Sequence, residues 1–127
     1  MCIRDRKEVV QKGYDCFNSG DMETFVGLFH EDCTCTINGM HKFSGTYNGI
    51  NEFLGTLALI PTHYDNFSVT VVNMISDGDQ VFTQLDGRAD GMEAKFGHFH
   101  KIEDGKIREF WIYDDSQKMA RAMKPVM

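Results

Sequence analysis

The spacing of apolar and polar positions changes once along the chain, near residue 65. Before that point apolar residues recur at helical intervals. Val9, Val10, Tyr14 and Phe17 predict a helix over about residues 7–18. Asn18-Ser19-Gly20 stops it, and Gly20 suits a left-handed C-terminal position. Asp21 reads as the N-cap of a second helix with Phe25, Leu28 and Phe29 as its buried stripe. Thr24 stands where a capping box would have Glu, so that box is incomplete. Gly13 and Gly27 fall inside these helices at ~1 kcal/mol each against Ala, and close packing is one reason to keep them. Cys33, Cys35 and Ile37 alternate with Thr34 and Thr36, which predicts a short strand turned by Asn38-Gly39. A third helix is expected over about residues 49–59, with Ile50, Phe53, Leu54 and Leu57 on one side and Pro61 beyond its end.

After this the period drops to two. Strands are predicted over about residues 67–76, 80–89, 93–102 and 106–113. Asp77-Gly78, Asp90-Gly91 and Asp104-Gly105 separate them, and Asp-Gly between alternating runs is the strongest short hairpin signal. Helices followed by a meander give the α+β class, with three N-terminal helices packed in the concave face of a curved antiparallel sheet. Residues 116–124 are expected to add a short helix. No internal repeat, low-complexity tract or linker interrupts the chain.

Composition narrows the partners. The 127 residues, 42% hydrophobic and 25% charged, suit one globular domain with a buried core. Net charge is −6 with no Lys/Arg run, so neither nucleic acid nor a membrane is an expected partner. No apolar run approaches the ~18 residues of a transmembrane helix. Cys2, Cys16, Cys33 and Cys35 do not form a disulfide framework, which favours a reducing, cytoplasmic setting. Met1-Cys2-Ile3-Arg4-Asp5 matches the translation of a transposon end used in sequencing-library preparation. Residues 1–6 are therefore read as an adapter scar on a metagenomic contig and residues 7–127 as the domain, leaving the native N-terminus and any signal peptide open. Uninterrupted genomic sequence encoding those first residues would refute that reading.

Several local motifs, in order, resemble one family. They are Phe17-Asn18-Ser19-Gly20-Asp21, Leu28-Phe29-His30-Glu31-Asp32, and Gly45-Thr46-Tyr47-Asn48-Gly49-Ile50. The longest is His98-Phe99-His100-Lys101-Ile102-Glu103-Asp104-Gly105-Lys106-Ile107, leading to Trp111 and Asp115. Together they resemble the SnoaL-like branch of the nuclear transport factor 2-like superfamily, over about residues 8–120. The resemblance implies a cone whose helices and concave sheet enclose an apolar pocket, with chemistry on pocket-facing polar groups. It also implies a homodimer through the outer sheet face, where Phe82, Phe99, Trp111 and Tyr113 are expected.

Strand alternation, aligned on the Asp104-Gly105 turn without gaps, puts Ala94, Phe96, His98, His100 and Ile102 inward. On the next strand it puts Arg108, Phe110, Ile112 and Asp114 inward, with His98 opposite Ile112 and His100 opposite Phe110. The residues that relatives use are largely replaced. The position of the ketosteroid isomerase base is Ile37, its first-helix tyrosine falls at Gly13 beside Tyr14, and its oxyanion-binding acid falls at His98. The limonene epoxide hydrolase Arg and two Asp fall at Leu85, Gly87 and Ile112. The His of SnoaL-like cyclases matches His98, but their Asp falls at Ile112. A one-residue bulge would swap faces and restore some of these matches.

What remains is a histidine-centred site. His98 and His100, imidazoles that ordinarily titrate near neutral pH, are the candidate acid–base pair, with Tyr14 as donor to a developing oxyanion. Phe17, Cys35, Ile37, Tyr64, Phe67, Val69, Phe96, Phe110 and Ile112 are the expected wall, with Asp114 near the mouth as a candidate to orient a histidine or serve as a second base. Such a wall suits a hydrophobic small molecule carrying one or two oxygens. The leading expectation is an enzyme isomerising, cyclising, dehydrating or hydrolysing a hydrophobic carbonyl compound without a cofactor. A structural His98–Tyr14 hydrogen bond in a non-catalytic ligand-binding or dimeric association module is the alternative. A third reading joins Cys33 and Cys35 to His98 and His100 as a zinc site.

Overall fold

The computed structural model describes residues 3–123, with side chains from residue 6. Met1, Cys2 and Lys124, the expected end of the terminal helix, lie outside the described residues, as do the side chains of Ile3, Arg4 and Asp5. Helix α1 runs Ile3–Ser19 and α2 Met22–Gly27. Gly20, at φ 82°, supplies the left-handed residue between them. Asp21 caps α2 by accepting the Thr24 N–H at 3.2 Å. Then come β1 (Phe29–Ile37), β2 (Gly45–Asn48), α3 (Ile50–Leu57) and α4 (Ile60–His63). The meander is β3 (Ser68–Asp77), β4 (Gln80–Ala89), β5 (Met92–Glu103) and β6 (Lys106–Tyr113), followed by α5 (Ser116–Ala122). No helix among the described residues is long and apolar enough to cross a membrane.

The six strands form one sheet in the order β2-β1-β6-β5-β4-β3. Pairs are antiparallel except β1 with β6, which run parallel. The Asp-Gly turns fall where the sequence puts them. At Asp104-Gly105 both residues have positive φ, 53° and 76°, as a type I′ hairpin requires. Residues opposite one another on paired strands share a face. One row, Ile75, Phe82, Phe99, Trp111 and Thr36, runs across the outer face. The neighbouring row, Met74, Thr83, His98, Ile112 and Ile37, runs across the inner face. A second inner row holds Val81, His100, Phe110, Cys35 and Tyr47.

The structure corrects several local expectations. Phe29 does not end the second helix; it opens β1, buried against Phe25 with ring centroids 4.9 Å apart. Strand β1 is thus four residues longer at its start than its alternation shows. Strand β2 is short and mostly exposed, so it carries no apolar alternation to read. Pro61 lies in the first turn of α4 rather than past a longer α3. A Cβ at Gly13 would meet Leu28 at an ordinary 3.9 Å, and none would be met at Gly27, so packing requires neither glycine.

The correction with most bearing on the site is in β6. The gapless alignment expects Arg108 inward. The register instead shifts: Lys101 opposes Glu109, Ile102 opposes Ile107, and Arg108 is the extra residue of a β-bulge. Ile107 becomes the buried inward residue. Arg108 turns out, donates to the Asp32 carbonyl oxygen and pairs with Glu103 at 3.3 Å. Past the bulge, His98 opposes Ile112 and His100 opposes Phe110.

Candidate functional site

The helices leave part of the hollow empty. A cavity of about 90 Å³ remains, lined almost wholly by carbon. At about 10–15 Å³ per water-sized centre, that is room for a small apolar group. Tyr14 reaches it from α1, four residues after Val10 and three before Phe17, so these three share the helix face that looks onto the sheet. His98 and His100 reach it from β5, two residues apart and therefore on one face.

These groups form one polar patch. Tyr14 Oη lies 2.7 Å from His98 Nδ1, and their rings stack at 5.6 Å. His100 stacks on Phe110 at 4.4 Å and meets Tyr14 edge-on at 6.0 Å. His98 stands edge-on to Phe110 at 5.1 Å. Aromatic contacts thus fix both imidazoles. His98 Nε2, His100 Nδ1 and Thr83 Oγ1 are buried without a hydrogen-bond partner. Each such atom costs ~1–3 kcal/mol, which a ligand oxygen or hydroxyl reaching it recovers.

Burial also sets the charge state. Desolvation holds His98 well below the usual imidazole range, and neighbouring His100 adds to the effect. Desolvation pushes His100 down to about 3. The Tyr14 phenol is pushed far above its usual value by burial, the Thr83 hydroxyl beside it working the other way. The expectation that these histidines titrate near neutrality is therefore corrected: both stay neutral. One proton is shared in the Tyr14–His98 bond. Either Tyr14 donates and Nε2 carries the single N–H of the neutral ring, or Nδ1 donates and the Tyr14 hydroxyl is free to donate onward.

Tyr14, Phe17, Ile37, Phe67, Val69, Phe96, His98, His100, Phe110, Ile112 and Asp114 all line the cavity. Two expected wall residues do not. Cys35 is fully buried, in line between Phe110 and Tyr47, and Phe53 packs on both of those rings, sealing it off. Tyr64 turns its hydroxyl to the Met119 carbonyl oxygen at 2.5 Å, pinning α5, and offers its ring to Phe43 and Phe67 instead. Phe96 keeps its place because Gly87 lies under its ring; a Cβ there would come within 2.2 Å of it.

Comparison with known proteins follows the same lines. The sequence model of the SnoaL-like domain matches residues 10–110. The chain belongs to the SnoaL-like domain family. No curated protein sequence matches it. Among solved structures it is similar to Bal32a, from a soil-derived mobile gene cassette, at 19% identity and a TM-score of 0.87, covering 95% of this chain and 98% of that one. An NTF2-like protein of unknown function from Burkholderia pseudomallei gives 19% identity and 0.85, over 95% and 98%. IdmH from Streptomyces antibioticus, a proposed polyketide cyclase, gives 23% identity and 0.78, over 92% and 96%. At these identities the likeness establishes the nuclear transport factor 2-like fold.

This SnoaL-like domain also holds a polar cavity residue that no sequence pattern reveals. His41, from the segment between β1 and β2, lines the cavity and places Nε2 3.1 Å from Asp114 Oδ2. Both side chains are nearly inaccessible, at 1% and 4%. His41 lies outside every periodic segment, so only its residue type could have flagged it. The zinc reading finds no support in the arrangement: no group of three or more His, Cys, Asp or Glu placed to hold a metal occurs among the described residues.

Proposed function

We propose that the protein is a small-molecule enzyme that binds a hydrophobic carbonyl compound in this cavity and moves a proton on the carbon beside the carbonyl, as an isomerase or cyclase does. The observation that carries this reading is the buried, neutral Tyr14–His98 pair facing an apolar space. A neutral phenol and imidazole are hydrogen-bond donors that do not need to lose a charge to work. In a low-dielectric cavity a donor aimed at a carbonyl oxygen stabilises the enolate far more than the same donor in water. The surrounding rings exclude water and hold a flat apolar skeleton. Membership of a SnoaL-like family and likeness to IdmH are consistent with cyclase or isomerase chemistry.

The test uses 2-tetralone, an apolar aromatic ketone. Hydrogen–deuterium exchange beside its carbonyl, followed by proton NMR, should be faster with the protein than in buffer alone. Tyr14→Phe and His98→Phe should each slow it by ~10²–10³, the usual effect of removing one oxyanion donor. A parent protein that binds the ketone but leaves exchange at the buffer rate would instead support ligand binding without catalysis, a reading that the weak basicity of the two imidazoles favours.

We also propose a homodimer through the outer sheet face. The row Ile75, Phe82, Phe99, Trp111 crosses that face, with Tyr113 beside it. Ile75, Phe82 and Tyr113 are exposed, and Phe99 and Trp111 half-buried. Such a row of large apolar groups suits contact with a second copy.

A further inference from the structure

The Tyr14–His98 pair supplies a donor, but an enzyme that removes a carbon-bound proton also needs a base, and the two buried imidazoles are poor ones. The positions at which the resemblance places carboxylates hold Ile37, Gly87, His98 and Ile112. The structure places a different carboxylate one same-face step further along. Asp114 follows Ile112 by two residues and lines the same cavity. Same-face neighbours on a strand are about 6.6 Å apart. Asp114 thus stands on the cavity wall about one such step beyond Ile112, the residue opposite His98.

Asp114 is held with unusual care for a residue past the end of its strand. Asn38 Oδ1 accepts the Asp114 N–H at 3.1 Å, and Asn38 Nδ2 donates to the Asp114 carbonyl oxygen at 3.3 Å. The Asn38 N–H donates to the Ile112 carbonyl oxygen at 3.1 Å, so Asn38 continues the β1–β6 pairing by one step. His41 is fixed in turn. Its Nδ1 accepts the Phe43 N–H at 3.1 Å, which leaves Nε2 as the protonated nitrogen of the neutral ring. Its backbone N–H donates to Ser44 Oγ at 2.9 Å, and Ser44 Oγ donates to the Asn38 carbonyl oxygen at 2.7 Å. His41 Nε2–H thus donates to Asp114 Oδ2 and holds the carboxylate in one orientation. The other oxygen, Oδ1, is buried and has no hydrogen-bond partner. Tyr64, whose phenol burial and then the Asp114 charge push up to about 12, stands close by.

We propose that Asp114 is the catalytic base of this site, with Oδ1 taking the proton, and that His41 is the residue that positions it. This rests on the reading of the cavity as an acid–base site. In the enolisation step Asp114 Oδ1 removes the proton from the carbon beside the carbonyl. The C–H electron pair becomes the C=C bond, and the carbonyl π pair moves to the oxygen, which accepts the one free proton of the pair, on His98 Nε2 or Tyr14 Oη. In a ketone with a C=C bond β,γ to the carbonyl, the enolate is a conjugated dienolate, and return of the proton from Asp114 to its γ carbon completes an isomerisation with no other reactant.

The probe is 5-nitrobenzisoxazole, which needs only a base in an apolar site. Loss of its C3 proton to Asp114 forms the nitrile as the N–O bond breaks, and the electron pair leaves on a coloured phenolate. The parent protein should speed this release, and Asp114→Asn should lower kcat by ~10²–10⁴, the usual range for general base catalysis, while still binding 2-naphthol. His41→Leu should lower kcat with KM unchanged, and His41→Gln, which keeps a side-chain N–H, should restore much of it. Parent-level release by Asp114→Asn overturns the proposal. Should that variant lose naphthol binding, the His41 pair decides, and a kcat unchanged in His41→Leu overturns it. Tetralone exchange by the parent with no dependence on Asp114 sinks this base and leaves the proposed function standing. Inertness of the parent toward both probes overturns both.

Discussion

His98 and His100 show how burial overrides a residue's ordinary chemistry. A sequence reader credits each with a proton affinity suited to neutral pH. Inside this hollow they have aromatic neighbours and no carboxylate against them, so the charged form loses its hydration without compensation. In the unfolded chain an imidazole titrates near 6.5, whereas burial pushes folded His100 down to about 3. Between those values the unfolded chain binds more protons than the folded one. The stability tied to the neutral histidines is therefore complete above about pH 6.5 and is lost as pH falls toward 3. The slope is roughly 1.4 kcal/mol per pH unit for each buried histidine. Urea unfolding from pH 7.5 down to 4.5 should show it, and His100→Phe should remove about one histidine's share. An identical slope in that variant would contradict the assignment. The inward placement of Tyr14, His98 and His100 was legible because helix and strand periods fix which face a residue takes. Their charge states were not, because desolvation belongs to the assembled core.

At the scale of elements, legibility followed length and regularity. The meander strands were readable to within a residue or two at their ends because alternation and Asp-Gly turns agree. Phe29 was misplaced because a spacing of three and four from Phe25 fits a helix, while the chain in fact leaves the helix at Gly27. The bulge at Arg108 leaves one trace, since Ile107 and Phe110 stand three apart with Arg108 and Glu109 between them, but only the pairing with β5 shows which residue is extra. Its consequence is local and decisive, since it brings both Ile107 and Phe110 onto the cavity wall. The segment 38–44 is the opposite case. It has no periodicity, yet Asn38, His41 and Ser44 hydrogen-bond one another's backbone and the end of β6 into a fixed platform. Sequence patterns report which surface an element buries. They do not report a loop ordered by its own polar side chains, and that loop carries the partner of Asp114.

The whole molecule is a sheet with two apolar faces put to different uses. The inner face, covered by helices, keeps a small hollow with few polar groups. The outer face carries the aromatic row centred on Phe82 and Trp111. Light scattering on the purified protein should give twice the chain mass, and Phe82→Asp together with Trp111→Asp should halve it while leaving the fold intact by circular dichroism. A monomer in the parent would refute the dimer and would leave the cavity untouched. The central claim is that a neutral Tyr14–His98–His100 patch receives the polar end of a hydrophobic ligand. Nitrogen-15 NMR of selectively labelled histidines, recorded from pH 8 to pH 5 with and without 2-tetralone, tests this most directly. The imidazoles of His98 and His100 should stay neutral across that range, and both should shift when the ketone is added. Protonation of either near pH 6.5, or a ketone that binds without moving their signals, would contradict it.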